Sequence, residues 1–251
     1  MKVKHVGGVV LLWLLGWGVV GADVVLISGN SAASTEGLGA YTGSLNYSAT
    51  NSGAAQLIVQ LTNHSNPGNG GFLTAFALNN PGNHISGISF GSSSAAWGLL
   101  GAPGFNNGVA APPFGSFDFG ASITNQFLGG GSPLSGLGVG QGGTFTFNLT
   151  GTDLDQLSAQ DFLTAFGADP SPDHSGEFFL ARFRGFTNGG SDKVPGKIDR
   201  DSGGDGGGGG GGGGGGNDPP PVPEPTTLLI WGLGAGCLLP CYRRMRKTST
   251  V

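Results

Sequence analysis

Across the middle of the chain, apolar side chains recur mainly at every second position, the period of a strand with one buried face. Thr144-Phe145-Thr146-Phe147-Asn148-Leu149 alternates without a break, which places Phe145, Phe147 and Leu149 inward. Gln56 to Thr62, Phe72 to Leu78, Ile85 to Phe90 and Phe114 to Phe119 predict further strands. Phe179, Ala181 and Phe183 alternate with Leu180, Arg182 and Arg184 in the last clear one. Two related turn signals, Asn66-Pro67-Gly68-Asn69 and Asn80-Pro81-Gly82-Asn83, punctuate the series and fit a meander. The period changes once, at Ala159 to Phe166. There Ser158 stands as N-cap and Asp161 at the third helical position, which predicts a short capped helix. Many short strands, frequent turns and one small helix predict a mainly β, single β-sandwich-like domain over residues 23–200.

Both ends break this pattern. Lys2 and Lys4 precede an apolar run, Val9 to Val20, too short for a comfortable bilayer span. Val20-Gly21-Ala22 then supplies the small residues a signal peptidase needs, so residues 1–22 read as a signal peptide cut between Ala22 and Asp23. Near the other end, Thr226 to Tyr242 carries no charge over seventeen residues. At 1.5 Å per residue a helix of that length covers roughly 25 Å, enough for a thin hydrocarbon core. Arg243, Arg244, Arg246 and Lys247 follow at once and form a basic stop on the cytoplasmic side of the inner membrane. Gly232 and Gly236 make a nominal helix-dimer motif, and Pro240 falls in the last turn. Between body and span, residues 201–221 form a Gly/Pro-rich disordered linker with eleven consecutive glycines at 206–216.

Composition sharpens this picture. Glycine occupies 53 of 251 positions, and charged residues make up only 10%. Six of the eleven Lys and Arg sit in the two end segments. Asp23 to Pro221 therefore keeps 5 basic against 14 acidic residues, a net of −9. That balance repels phosphate backbones and excludes nucleic acid as a partner. Both cysteines, Cys237 and Cys241, lie in the apolar span, so a chain processed before it has neither a disulfide nor a Cys metal site.

Immediately before the span stands Val222-Pro223-Glu224-Pro225. The order of Pro223-Glu224-Pro225, a Gly- and Leu-containing apolar helix and an Arg-rich end resembles the PEP-CTERM sorting signal of Gram-negative bacteria, over residues 222–251. The resemblance implies an exosortase, a membrane-embedded cysteine peptidase, as processing partner and the cell surface or extracellular matrix as destination. Extracellular polysaccharide is a further partner it implies. The physics agrees independently, because the two prolines present an extended, donor-poor segment just outside the bilayer, with Glu224 at the water boundary. The stretch Gly143 to Gly196 also resembles the Cys-poor ectodomains of that family and brings no catalytic residues with it.

No catalytic, cofactor or metal set is expected. Gly87-Ile88-Ser89-Phe90-Gly91 matches the nucleophile-elbow pattern but runs into Ser92-Ser93-Ser94 instead of a helix, with His174 the only triad histidine downstream. Gly138 to Gly143 satisfies the dinucleotide pattern but precedes a strand. His64, His84 and His174 lack ligand spacing and read as exposed loop residues. Asp153, Asp155 and Asp161 read as helix-start carboxylates, and Asp199, Asp201 and Asp205 lack the terminal Glu of a calcium loop. Three sequons, at Asn46, Asn63 and Asn148, read as chance matches. The expected function is non-enzymatic, structural or adhesive. Two alternatives stand beside it: a carbohydrate-binding module using Trp97 together with Tyr41, Tyr47 or Phe residues, and a secreted hydrolase using Ser89. A third reading keeps the C-terminal helix as a permanent anchor.

Overall fold

The computed structural model describes residues 22–94 and 96–198, all within the first of two compact units, Met1–Gly203. In chain order the strands are β1 (Asp23–Gly29), β2 (Tyr41–Asn51), β3 (Ala54–Asn63), β4 (Gly70–Leu78), β5 (Ile85–Ser92), β6 (Gly98–Leu100), β7 (Val109–Ala110), β8 (Ser116–Phe117), β9 (Phe119–Ser122) and β10 (Gly142–Gly151). The helix α1 (Ala159–Thr164) precedes β11 (Phe179–Phe186), β12 (Ser191–Pro195) and β13 (Lys197–Ile198). The fold is mainly β, as the alternation predicts. A six-stranded sheet has the order β13-β1-β2-β3-β10-β5 and a five-stranded sheet the order β12-β11-β4-β9-β6; β7 and β8 pair as a small third ribbon. All named pairings are antiparallel.

The inner faces of the two large sheets meet through phenylalanine. Phe145 and Phe147 are buried on β10 of the six-stranded sheet, as the period requires. Phe76 of β4 meets the ring of Phe145 edge-on at 4.8 Å and stacks on Phe179 of β11 at 5.7 Å. Phe119 of β9 lies 5.4 Å from Phe147. Each such ring taken fully out of water contributes about 2–3 kcal/mol. Two sheets joined across one aromatic core are consistent with the sandwich-like fold expected.

The two sheets differ on their outer faces, and their sequences differ in the same way. β3 and β10 alternate apolar with polar residues because only one face is covered. β4 is buried along nearly its whole length because a second apolar cluster covers the outer side of its sheet. Ala75, Ala77, Leu100 and Leu180 of the sheet pack there with Val109, Phe114, Phe117 and Phe127. At Gly101, which starts the turn into this layer, φ is +88° and an added Cβ would strike the Asp118 carbonyl, so only glycine fits.

Three expectations need correction. First, the two Asn-Pro-Gly-Asn turns do not make a meander. β3 pairs with β2 and β10, while β4 pairs with β11 and β9, so the first turn carries the chain from one sheet to the other and the second carries it back to β5. Buried asparagines fix these crossings: Asn63 Nδ2 donates to Leu137 O (2.8 Å), and Asn79 Nδ2 donates to Glu177 O (3.0 Å). Asn80 exchanges both side-chain bonds with the Ile85 backbone, at 2.9 Å each. Second, Phe114 to Phe119 is not one strand. Asp118 interrupts it because its carboxylate accepts from Asn80 N (2.7 Å) and Asn107 N (2.6 Å). Third, the helix ends at Thr164: Ala165 turns to ψ 117°, and Phe166 lies outside it, 61% exposed. The predicted cap is present, with Asp161 Oδ2 accepting from both Ser158 N and Ser158 Oγ at 2.7 Å.

Candidate functional site

The residues expected to carry the address mostly lie outside the described residues. These are the signal peptide up to Gly21, the linker, the sorting motif Pro223, Glu224 and Pro225, and the basic stop Arg243, Arg244, Arg246 and Lys247. Also outside are Asp199, Asp201, Asp205 and both cysteines. Among the described residues no helix is long and apolar enough to cross a membrane. The predicted cleavage site is described in part. Ala22 is exposed, and Asp23 is the first residue of β1, opposite Tyr47. Asp23 Oδ2 also accepts from Ala159 N (3.0 Å), tying the start of β1 to the start of α1. A cut between Ala22 and Asp23 therefore leaves every strand of the fold intact.

The enzymatic patterns do not assemble. Ser89 sits in the middle of β5, exposed on the outer face, opposite Asn148 of β10. No strand-turn-helix surrounds it, and the elbow pattern is met by a strand. His174 lies in another loop with its ring against Phe114 at 4.7 Å. Gly138 to Gln141 form the loop before β10, as expected. His84 and His174 are half-buried, while His64 is exposed; His84 Nδ1 lies 2.9 Å from Thr152 O. Among the described residues no three His, Cys, Asp or Glu side chains gather around a point that a metal could occupy.

Trp97, Tyr41 and Tyr47 do not stand on the surface as a sugar platform would require. Trp97 is 6% exposed, packed between Phe145 (4.7 Å) and Phe76 (6.0 Å). Tyr41 and Tyr47 are buried in the same core. Tyr47 Oη donates to Leu154 O, and its pKa is pushed up to about 12 by burial, then by Asp155 and Asp161. None of the three rings is open to a sugar.

Two polar devices are not legible in the sequence because most of their partners are backbone groups of distant loops. Asp192 of β12, 1% exposed, accepts from Ser34 Oγ, Thr35 Oγ1 and the backbone N–H groups of Glu36, Leu38 and Gly39, all at 2.8–2.9 Å. Burial alone raises its carboxyl. The hydrogen bonds from Gly39, Leu38, Ser34 and Glu36 outweigh that and hold it below the usual aspartate value. On the outer side of β11, Arg182 and Arg184 grip a glycine loop by its carbonyls. Arg182 donates to Phe127 O and Gly129 O, and Arg184 to the carbonyls of Gly129, Gly130 and Gly131. Burial, then the neighbouring Arg184, lowers the Arg182 pKa to about 10, so the side chain remains charged at neutral pH.

What is open is the outer face of the six-stranded sheet. Register places Leu26, Ser44, Gln60 and Thr144 in one row across β1, β2, β3 and β10. Val24, Asn46, Ile58 and Thr146 form the next, then Ser48, Gln56, Asn148 and Ser89. β2, β3, β5 and β10 contain no charged residue at all. Gln56 Nε2 donates to Asn148 Oδ1 (2.8 Å), Asn148 Nδ2 to Ser89 Oγ (3.4 Å), and Ser44 Oγ to Gln60 Oε1 (3.3 Å). Shallow hollows of about 530 Å³, beside Gln56, Ser89 and Thr150, and about 340 Å³, beside Thr42, Ser44 and Thr62, lie on this face.

Comparison of the chain with family models, with curated proteins and with solved structures finds no match.

Proposed function

We propose that this chain is an exported, non-enzymatic bacterial protein of the cell surface or extracellular matrix, sorted by an exosortase-type peptidase. One observation carries the reading: Pro223-Glu224-Pro225, a seventeen-residue uncharged segment and the cluster Arg243 to Lys247 follow one another in the order such a signal requires. The apolar segment halts in the bilayer, the cations hold its far end at anionic headgroups, and the proline-bounded glutamate stays in water. Residues 1–22 serve as the signal peptide, and residues 201–221 as a tether that gives the peptidase access without unfolding the β domain.

One feature of the body supports this reading: strand β1 begins at Asp23, the residue that follows the expected signal-peptide cut. The test is replacement of Pro223, Glu224 and Pro225 by alanine in the producing bacterium. The reading predicts uncut protein accumulating in the inner membrane; unchanged processing and release refute it.

A further inference from the structure

We infer that the outer face of the six-stranded sheet is a binding surface for a neutral polysaccharide chain. This face carries hydroxyl and amide side chains in register across five strands and no charge on β2, β3, β5 or β10. The inference does not depend on residues 222–251, so the sorting reading can fail while this one stands.

The body from Asp23 to Pro221 has a net charge of −9, yet four adjoining or central strands of this sheet contribute none of it. A polyanion finds no Lys or Arg on these strands to neutralise it. A protein partner is recognised through buried aromatic, Met and Arg anchors, and this face offers none. The described cation on this face, Lys197 of β13, stands at the edge opposite β5, in the row of Ser28, Thr42 and Thr62 and away from Gln56, Asn148 and Ser89.

The groups that are present fit a neutral glycan. Ser, Thr, Asn and Gln each supply both donors and acceptors, matching sugar hydroxyls, which do the same. The row Gln56–Asn148–Ser89 is already hydrogen-bonded side to side, so its outward donors and acceptors are held in place before any ligand arrives. Val24 and Leu26 stand side by side on β1, exposed, and offer an apolar patch against which the C–H side of a pyranose ring can rest; Ile58 stands apart on β3, beyond Asn46. The two hollows lie at opposite ends of β3, near Gln56 and near Thr62. Six residues at 3.3 Å per residue separate them by about 20 Å. That spacing suits an extended polymer better than a single sugar. With Trp97, Tyr41 and Tyr47 buried, recognition rests on many weak hydrogen bonds rather than on ring stacking.

The experiment is native gel retardation of the full chain, kept soluble in a polyoxyethylene detergent, through gels containing dextran, amylose or alginate. The inference predicts retardation by a neutral glucan that persists at high salt. Gln56→Ala combined with Asn148→Ala should weaken it about fivefold or more, as expected for lost hydrogen bonds. Leu134→Ser, at an exposed site off this sheet, should leave it unchanged. Circular dichroism and thermal unfolding establish that the double variant is folded, and Thr146→Arg provides a second, independent block of the face. Three results overturn the inference: no retardation by either glucan, retardation by alginate alone that falls with salt, or a dimer by light scattering that the double variant dissolves.

Discussion

Asp192 concentrates more of the fold's polar order than any other side chain described. Five donors from residues 34–39 converge on its carboxylate, so replacing it by asparagine puts an amide N–H₂ where only acceptors fit. Asp192→Asn should lower stability by about 2–3 kcal/mol at neutral pH, measured by urea unfolding. Because the folded carboxyl is held below its ordinary value, this contribution is complete above about pH 4 and disappears as pH falls through the depressed folded value. The unfolding midpoint should therefore fall below pH 4 in the native chain, and fall less in the variant. Trp97 gives the complementary residue-scale prediction. Trp97→Ala empties a site lined by Phe76 and Phe145 and should cost about 3–5 kcal/mol in the same measurement. Any loss of glycan binding in that variant then reports unfolding and not a lost sugar contact.

Among the elements, those legible in the sequence are those whose own side chains decide their state. β10 was readable from Phe145, Phe147 and Leu149, and the start of α1 from Ser158 and Asp161, because alternation and capping are local. The destination of each strand was not readable. The two Asn-Pro-Gly-Asn turns look alike in sequence, yet each joins different sheets, and buried Asn63, Asn79 and Asn80 make those crossings through bonds to residues far along the chain. β2 escapes the pattern because serine, glycine and asparagine interrupt its apolar positions, and β1 because Val24 to Ile27 runs apolar without alternation; tertiary pairing decides both. Two element-scale predictions follow from the bonds themselves. Ser158→Ala should weaken the cap and cost about 1 kcal/mol by thermal unfolding. Arg184→Ala should leave global stability nearly unchanged but release the carbonyls of Gly129, Gly130 and Gly131, so hydrogen exchange and limited proteolysis in the loop 127–131 should rise.

For the whole molecule, the functional reading separates into an address and a surface. The address rests on charge, hydropathy and proline placement, which are properties of sequence, and it stands as the expectation drawn from them, outside the described residues. The surface was not legible in the sequence. Thr42, Gln56, Thr146 and Ser89 are unremarkable one by one, and only the register across β2, β3, β10 and β5 brings such residues onto one face. The aromatic platform expected for a sugar failed for the same reason: nothing local distinguishes a surface tryptophan from Trp97, whose neighbours Phe76 and Phe145 come from different sheets. The account's central claim concerns both ends of the chain, and mass spectrometry of the protein recovered outside the producing cells tests it most directly. The account predicts a chain that starts at Asp23 and lacks residues 226–251. Recovery of the chain with residues 1–22 and 226–251 both attached would contradict it.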